Sequence, residues 1–121
     1  MQQTDQRDYP RVESEASVEI VTADRRTYPA LVLDVSLTGA QLLCDRPTVE
    51  QTINTADNDE ITIRMRLKLR NRATVRAQIS CLVMSVREVD TDEFRVGLKY
   101  DHFHDKNSYQ ALEDYVDDWL G

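Results

Sequence analysis

The chain has 121 residues, 40% of them hydrophobic and 31% charged, with 22 carboxylates against 15 lysines and arginines for a formal net charge of −7 at pH 7. That length suits one domain with a core of its own, needing neither disulfides nor metals. The anionic total argues against general nucleic-acid binding, which requires a basic surface to neutralise phosphates.

Along the chain, residues 1–15 show neither helical nor strand periodicity, and Pro10 interrupts any helix there, so a flexible N-terminal arm is expected. The polar stretch 1–6 does not read as a signal peptide. No apolar run approaches the ~20 residues of a membrane-spanning helix, so no membrane insertion is expected. The expected compartment is the cytoplasm.

From Ala16 the pattern becomes strand-like, with Val18 and Ile20 alternating with Ser17 and Glu19. Residues 24–27 suit a hairpin turn, 28–35 a second strand, and 40–44 a third after the break at 36–39. The polar segment 45–59 contains Pro47 and reads as a long loop with room for one helical turn. In the next element Ile61, Ile63, Met65, Leu67 and Leu69 alternate with Thr62, Arg64, Arg66, Lys68 and Arg70. A period of two over nine residues turns one set inward and the other to water. Asn71 and Arg72 turn the chain into a long strand at 75–89, whose phase breaks near Cys81 and Leu82 where a bulge is expected. The last strand, 94–100, carries Gly97 where a side chain would obstruct or the strand must bend.

The C-terminal segment, 105–121, changes period. Leu112, Tyr115, Val116, Trp119 and Leu120 share one helical face opposite Glu113, Asp114, Asp117 and Asp118. Asn107 or Ser108 is the expected N-cap, and Tyr115 and Trp119 the core contacts. The sum is an all-β barrel over 16–104 with a helix appended.

Charge is distributed unevenly. Residues 60–76 hold six cations (Arg64, Arg66, Lys68, Arg70, Arg72, Arg76) against Glu60, leaving nine cations against 21 carboxylates elsewhere. The stripe at 64–70 reads as a solvated barrel face, with a docking surface for an acidic partner or an added nucleotide contact as the alternatives. Cys44 and Cys81 lack a CxxC spacing and lie in apolar runs, so two buried reduced thiols are expected. His102 and His104 read as surface residues, not zinc ligands. Nothing assembles a nucleophile, a base and oxyanion donors, so no enzymatic activity and no cofactor are expected.

Two short motifs remain. Arg7-Asp8-Tyr9-Pro10-Arg11 is an RxxxR in the arm, and Asp34-Val35-Ser36-Leu37-Thr38-Gly39 is a DxSxxG between strands two and three. Either occurs by chance; together, in this order and in an all-β chain, they resemble the signature of the PilZ domain family. The stretch 94–103, FRVGLKYDHF, is similar to that family's closing strand with its glycine. The resemblance covers residues 6–104. It implies a six-stranded antiparallel β-barrel with a C-terminal helix that binds cyclic di-GMP through Arg7, Arg11, Asp34, Ser36 and Gly39. It also implies an output in trans to a protein partner the sequence does not identify, in motility, adhesion, chemosensory or biofilm control.

The residue types suit that ligand. A guanidinium fork matches phosphate oxygens, or guanine O6 and N7, in bidentate fashion. A carboxylate such as Asp34 accepts from the guanine N1–H and N2 edge, Ser36 adds a hydroxyl, and Gly39 permits a backbone conformation or a close approach that a β-carbon would obstruct. Where many family members carry a further arginine beside the first, this chain has Gln6 and Asp8 around Arg7. A second reading, a degenerate module acting as a protein adaptor without nucleotide, draws on Asp8 and the anionic total. A third, a small nucleic-acid-binding barrel, would use the 64–70 stripe.

Overall fold

The computed structural model describes residues 16–120, with side chains through residue 118. The arm at 1–15, including Arg7 and Arg11, and the side chain of Trp119 lie outside the described residues. Six strands follow in order: β1 (Ala16–Val21), β2 (Thr27–Val35), β3 (Gly39–Asp45), β4 (Glu60–Lys68), β5 (Thr74–Asp90) and β6 (Glu93–Phe103). They close into an antiparallel barrel in the order β1-β2-β3-β6-β5-β4, with β1 and β4 completing the ring.

Alternation decides which residues fill it. On β4, Ile61, Ile63, Met65 and Leu67 are buried while Arg64 and Arg66 stay in water, as the period of two requires. Val18 and Ile20 from β1, Ala40, Leu42 and Cys44 from β3, Ala77, Ile79 and Cys81 from β5, and Val96, Leu98 and Tyr100 from β6 meet them in one core. Leu69 falls just beyond β4 and is only partly buried. The β1–β2, β4–β5 and β5–β6 turns each place one non-glycine residue at positive φ (Arg25, Arg72 and Asp92).

The segment at 45–59 is more helical than its composition suggests. Asp45 Oδ1 accepts from Thr48 N at 2.9 Å, and Pro47 sits in the first turn, where a missing N–H is no loss. The helix α1 (Arg46–Thr48) widens into a π-turn at Val49–Ile53, then a 3₁₀ turn follows at Asp57–Asp59. Val49 and Ile53, four residues apart, carry this segment into the core. Arg46 pins it to the β5–β6 hairpin through Glu88 at 3.3 Å, Asp92 at 3.0 Å and the ring of Phe94, whose centroid is 5.0 Å away.

The helix α2 (Lys106–Leu120) packs on β5 through Ala111, Leu112, Tyr115 and Val116. Its cap is Asp105, not Asn107 or Ser108: the Asp105 carboxylate accepts from Ser108 N at 2.7 Å. Ser108 is occupied otherwise. Where β6 ends, its buried hydroxyl accepts from Gln78 N at 2.9 Å, and His104 N donates to Gln78 O, so the ladder continues into the helix. Hydrogen bonds from the Thr48 and Ser108 backbone hold Asp45 and Asp105 below the ordinary carboxylate range. Their caps therefore contribute above that range and fade as pH falls through the lowered values.

Cys44 and Cys81 are buried free thiols. Burial, with a smaller push from Asp45 and Asp101 respectively, raises Cys44 to about 11 and Cys81 to about 12 from an ordinary 9.0. A thiol held neutral by the fold contributes stability below the unfolded value and loses it as pH rises past 9.0 toward those folded values. At pH 8 the native protein should leave maleimide unreacted while the denatured chain takes up two equivalents; rapid labelling of the native protein would contradict this burial.

Candidate ligand-binding site

The turn between β2 and β3 is tied from within. Ser36 N donates to Gly39 O at 2.9 Å, and Ser36 Oγ accepts from the backbone N–H groups of Thr38 and Gly39, both at 3.2 Å. Such a serine-closed turn is what Asp, Ser and Gly favour locally. The glycine is there because of its neighbour. A Cβ on Gly39 would stand 2.2 Å from Leu98 O across the ladder, and its φ is not positive. What the fold requires of this glycine is close approach of two backbones. Thr38 O then takes Tyr100 N at 2.9 Å, fixing the turn onto β6.

Asp34 reaches its position through a bulge. The register between β2 and β3 shifts between Val32 and Asp34, so Val32 faces inward beside Leu42 while Asp34 pairs with Gln41 on the outer face. Gln41 in turn pairs with Gly97, and Gly97 with Ser85, giving one row across four strands: Asp34, Gln41, Gly97, Ser85. Gly97 lies between buried Val96 and Leu98, so it too faces out. A Cβ there would come within 2.6 Å of Ser85 Oγ and 3.1 Å of Gln41 Nε2. Its absence lets both side chains lie low over the strand.

The adjacent row reads Leu31, Leu43, Arg95, Arg87 by the same pairings. The two rows border a cleft of about 470 Å³ lined by Asp34, Gln41, Ser85, Arg87 and Arg95. That size falls within the span of small-molecule sites. Arg87 and Arg95 stand directly opposite one another, and among the described residues neither has a carboxylate partner. The cleft thus combines an acceptor at one end with two cationic forks at the other.

Of the five residues the sequence nominated, Asp34, Ser36 and Gly39 fall within one strand–turn–strand unit beside this cleft, and only Asp34 lines it. Arg7 and Arg11 lie outside the described residues. Gln41, Ser85, Arg87 and Arg95 were missed, because pairing alone joins them to the motif. Gly97 was the available signal, since alternation about a strand glycine points to Arg95. A larger groove, about 810 Å³, lies along Glu19, Arg64, Arg66 and Arg76, where Arg64 pairs with Glu19 at 3.3 Å. His102 and His104 are exposed. Among the described residues no group of three His, Cys, Asp or Glu side chains is placed to hold a metal, and no helix is long and apolar enough to cross a membrane.

The sequence model of the PilZ domain matches residues 5–118, nearly the whole chain. The chain belongs to the PilZ family. No curated protein matches its sequence. Solved structures share the PilZ fold at low identity. Apo MrkH of K. pneumonia aligns with a TM-score of 0.62 at 13% identity, covering 93% of this chain and 49% of that one. The inhibitor of motility MotI/DgrA of Bacillus subtilis gives 0.56 at 13%, covering 93% and 50%. PlzA of Borreliella burgdorferi, solved with c-di-GMP, gives 0.52 at 9%, covering 84% and 42%. MrkH has also been solved as its c-di-GMP complex. This PilZ chain spans about half the length of the proteins it matches.

Proposed function

We propose that this PilZ protein is a receptor for cyclic di-GMP. The observation that carries the reading is the placement of the motif carboxylate, Asp34, in an outer-face cleft that also holds paired guanidinium groups. A cyclic dinucleotide of guanine offers the complementary set: a donor edge for a carboxylate and phosphates for cations. Likeness to folds solved with c-di-GMP supports the same ligand.

In this reading Asp34 takes a guanine N1–H and N2 edge, the turn of Ser36 and Gly39 holds Asp34 at its height above the barrel, and Arg7 and Arg11 close over the ligand from the N-terminal side. Ordering that segment costs about 1–2 kcal/mol per residue fixed. Charge-assisted hydrogen bonds of about 1.5–3 kcal/mol each offset it. The covered face then differs from the uncovered one, which gives a protein partner something to distinguish. The protein acts by binding, without catalysis.

Calorimetric titration with cyclic di-GMP tests the reading. The wild type should bind, and an Arg7→Ala, Arg11→Ala double variant should bind about 100-fold more weakly or worse, two charge-assisted contacts being lost. No heat and no amide shift at saturating ligand would end the receptor reading and leave the adaptor. Amide exchange over residues 1–12, unchanged by ligand that does bind, would remove the ordering step alone.

A further inference from the structure

We propose that the larger groove, on the wall built by β2, β1, β4 and β5, docks an extended acidic segment of a partner protein. An apolar side chain of that segment seats on Leu31, and a carboxylate seats between Arg66 and Arg76. The inference rests on the partner half of the reading above and gives that partner its chemistry; it does not depend on nucleotide. The groove, about 810 Å³, shares no lining residue with the cleft that Asp34 enters.

Charge is the first argument. The chain carries a net charge of −7, yet Arg64, Arg66 and Arg76 all line this groove. Its two carboxylates are already engaged: Glu19 pairs with Arg64 at 3.3 Å, and Asp105 accepts from Ser108 N at 2.7 Å to cap α2. Arg66 of β4 and Arg76 of β5 are direct cross-strand partners and exposed, and among the described residues no ion pair reaches either. Opposed like charges destabilise an antiparallel pair. A carboxylate laid between the two guanidinium forks removes that repulsion and adds charge-assisted hydrogen bonds.

The other end of the groove is apolar. Leu31 is 65% exposed, more than any other large apolar side chain among the described residues, and Pro29 and Ala30 continue the surface beside it. An exposed leucine alone is ordinary; one facing two unpaired arginines along a single groove makes a site of two parts. That combination favours a protein over a nucleic acid. Two arginines neutralise too few phosphates to hold a polyanion on so anionic a chain, and phosphates have no use for Leu31.

Strand pairing sets the distance between the two ends. Leu31 falls one residue past the Ala30–Val18 pair, level with Ser17; Ser17 pairs with Arg66, and Arg66 with Arg76. Leu31 is thus two strands from Arg66 and three from Arg76. At about 4.8 Å per strand, the midpoint of the arginines lies about 12 Å from Leu31. An extended peptide rises about 3.3 Å per residue, so about four residues cover that distance, and residues i and i+4 share one face of it. The groove therefore selects an apolar residue with Asp or Glu about four positions away. Leu31 also belongs to the row that borders the cleft of Asp34, so a partner seated here abuts the face a ligand covers.

The test is fluorescence anisotropy with labelled peptides of about ten residues, titrated with the protein free of nucleotide. Each peptide carries one leucine and two adjacent glutamates, placed from about one to about six positions away on either side. Affinity should peak with the glutamates about four positions from the leucine. At that spacing Arg66→Gln and Arg76→Gln should each weaken binding about fivefold, and Leu31→Ser about tenfold. Arg25→Gln, at the tip of the β1–β2 hairpin and outside the groove, removes the same charge and should stay within about twofold. Glu19→Gln releases Arg64 and should strengthen binding about threefold, a gain that a merely structural role would not give. Every substituted residue is exposed, and thermal melts at the wild-type temperature would show that the changes report contacts and not unfolding. No binding at any spacing, affinity indifferent to spacing or to the two arginines, or tighter binding of an oligonucleotide of equal length would each overturn the site. With no nucleotide present, the outcome here and the outcome of the cyclic di-GMP titration stand or fall separately.

Discussion

Replacing Gly39 with alanine should lower stability by about 3 kcal/mol or more, the upper part of the range for overpacking. The added methyl would stand 2.2 Å from Leu98 O, 3.3 Å from Leu98 C and 3.5 Å from Lys99 Cα, all backbone atoms. No rotamer relieves such a contact. The carbonyl belongs to the β3–β6 ladder, which runs in continuous register from Gly39↔Lys99 to Asp45↔Glu93 and forms one wall of the barrel. Relief requires parting the two strands at the end where Tyr100 N is anchored on Thr38 O. Against a total stability of about 5–15 kcal/mol, that is a large fraction. Thermal unfolding followed by circular dichroism should show the midpoint falling by more than about 10 °C. A fall of only about 3 °C would mean that β6 recedes from β3 at little cost, and the account of this glycine would be wrong.

Gly97→Val should have the opposite profile: a folded barrel that no longer binds. There the new Cβ meets Ser85 Oγ at 2.6 Å and Gln41 Nε2 at 3.1 Å, both ends of side chains that can rotate away. A β-branched residue suits a strand, and the obstructing atoms belong to side chains, not to backbone. The midpoint should therefore stay within about 5 °C of wild type. Gln41 and Ser85 line the cleft, however, and moving them off Gly97 reshapes it. With the space between Asp34 and the arginines filled, affinity for cyclic di-GMP should fall by about 100-fold, equivalent to the loss of two good hydrogen-bonded contacts. Calorimetry beside circular dichroism separates the two glycines. Intact binding by Gly97→Val would place the ligand elsewhere on the barrel.

Much of this fold was legible because hydrophobic periodicity is local. The alternation from Ile61 to Leu67 announced β4, and the spacing of Leu112, Tyr115 and Val116 announced α2, whose face packs as expected. The phase break near Cys81 was legible for the same reason, and the register shifts between Ser80 and Cys81. Competition among neighbours was harder to read. Asp105, Asn107 and Ser108 are all good caps, and the choice fell to Asp105 because Gln78 N, 30 residues away, engages the Ser108 hydroxyl. Pro47 resembled a loop signal, but at the start of a helix it is neutral and Asp45 does the capping. The candidate site was legible only where residues are contiguous. Asp34, Ser36 and Gly39 form a string, whereas Arg87 and Arg95 join them through pairings set by a bulge in β2 and others in β5, which no local pattern encodes.

The length of β5 has a consequence of its own. Its pairing with β4 ends at Glu60↔Leu82, yet it runs on to Asp90 against β6 alone. Among the described residues, 83–90 therefore have no strand on their other side, and Met84, Val86 and Val89 are exposed along that rim. A straight rim of that composition invites another chain to add itself as a strand, the first step toward aggregation. Two irregularities interrupt it, at Met84 and at Val89, and Arg87, Glu88 and Asp90 place charge between the apolar residues. The bulges that set the arginines over the cleft also break the straightness of this overhang, so the same few residues shape the cleft and deny a second copy a regular template.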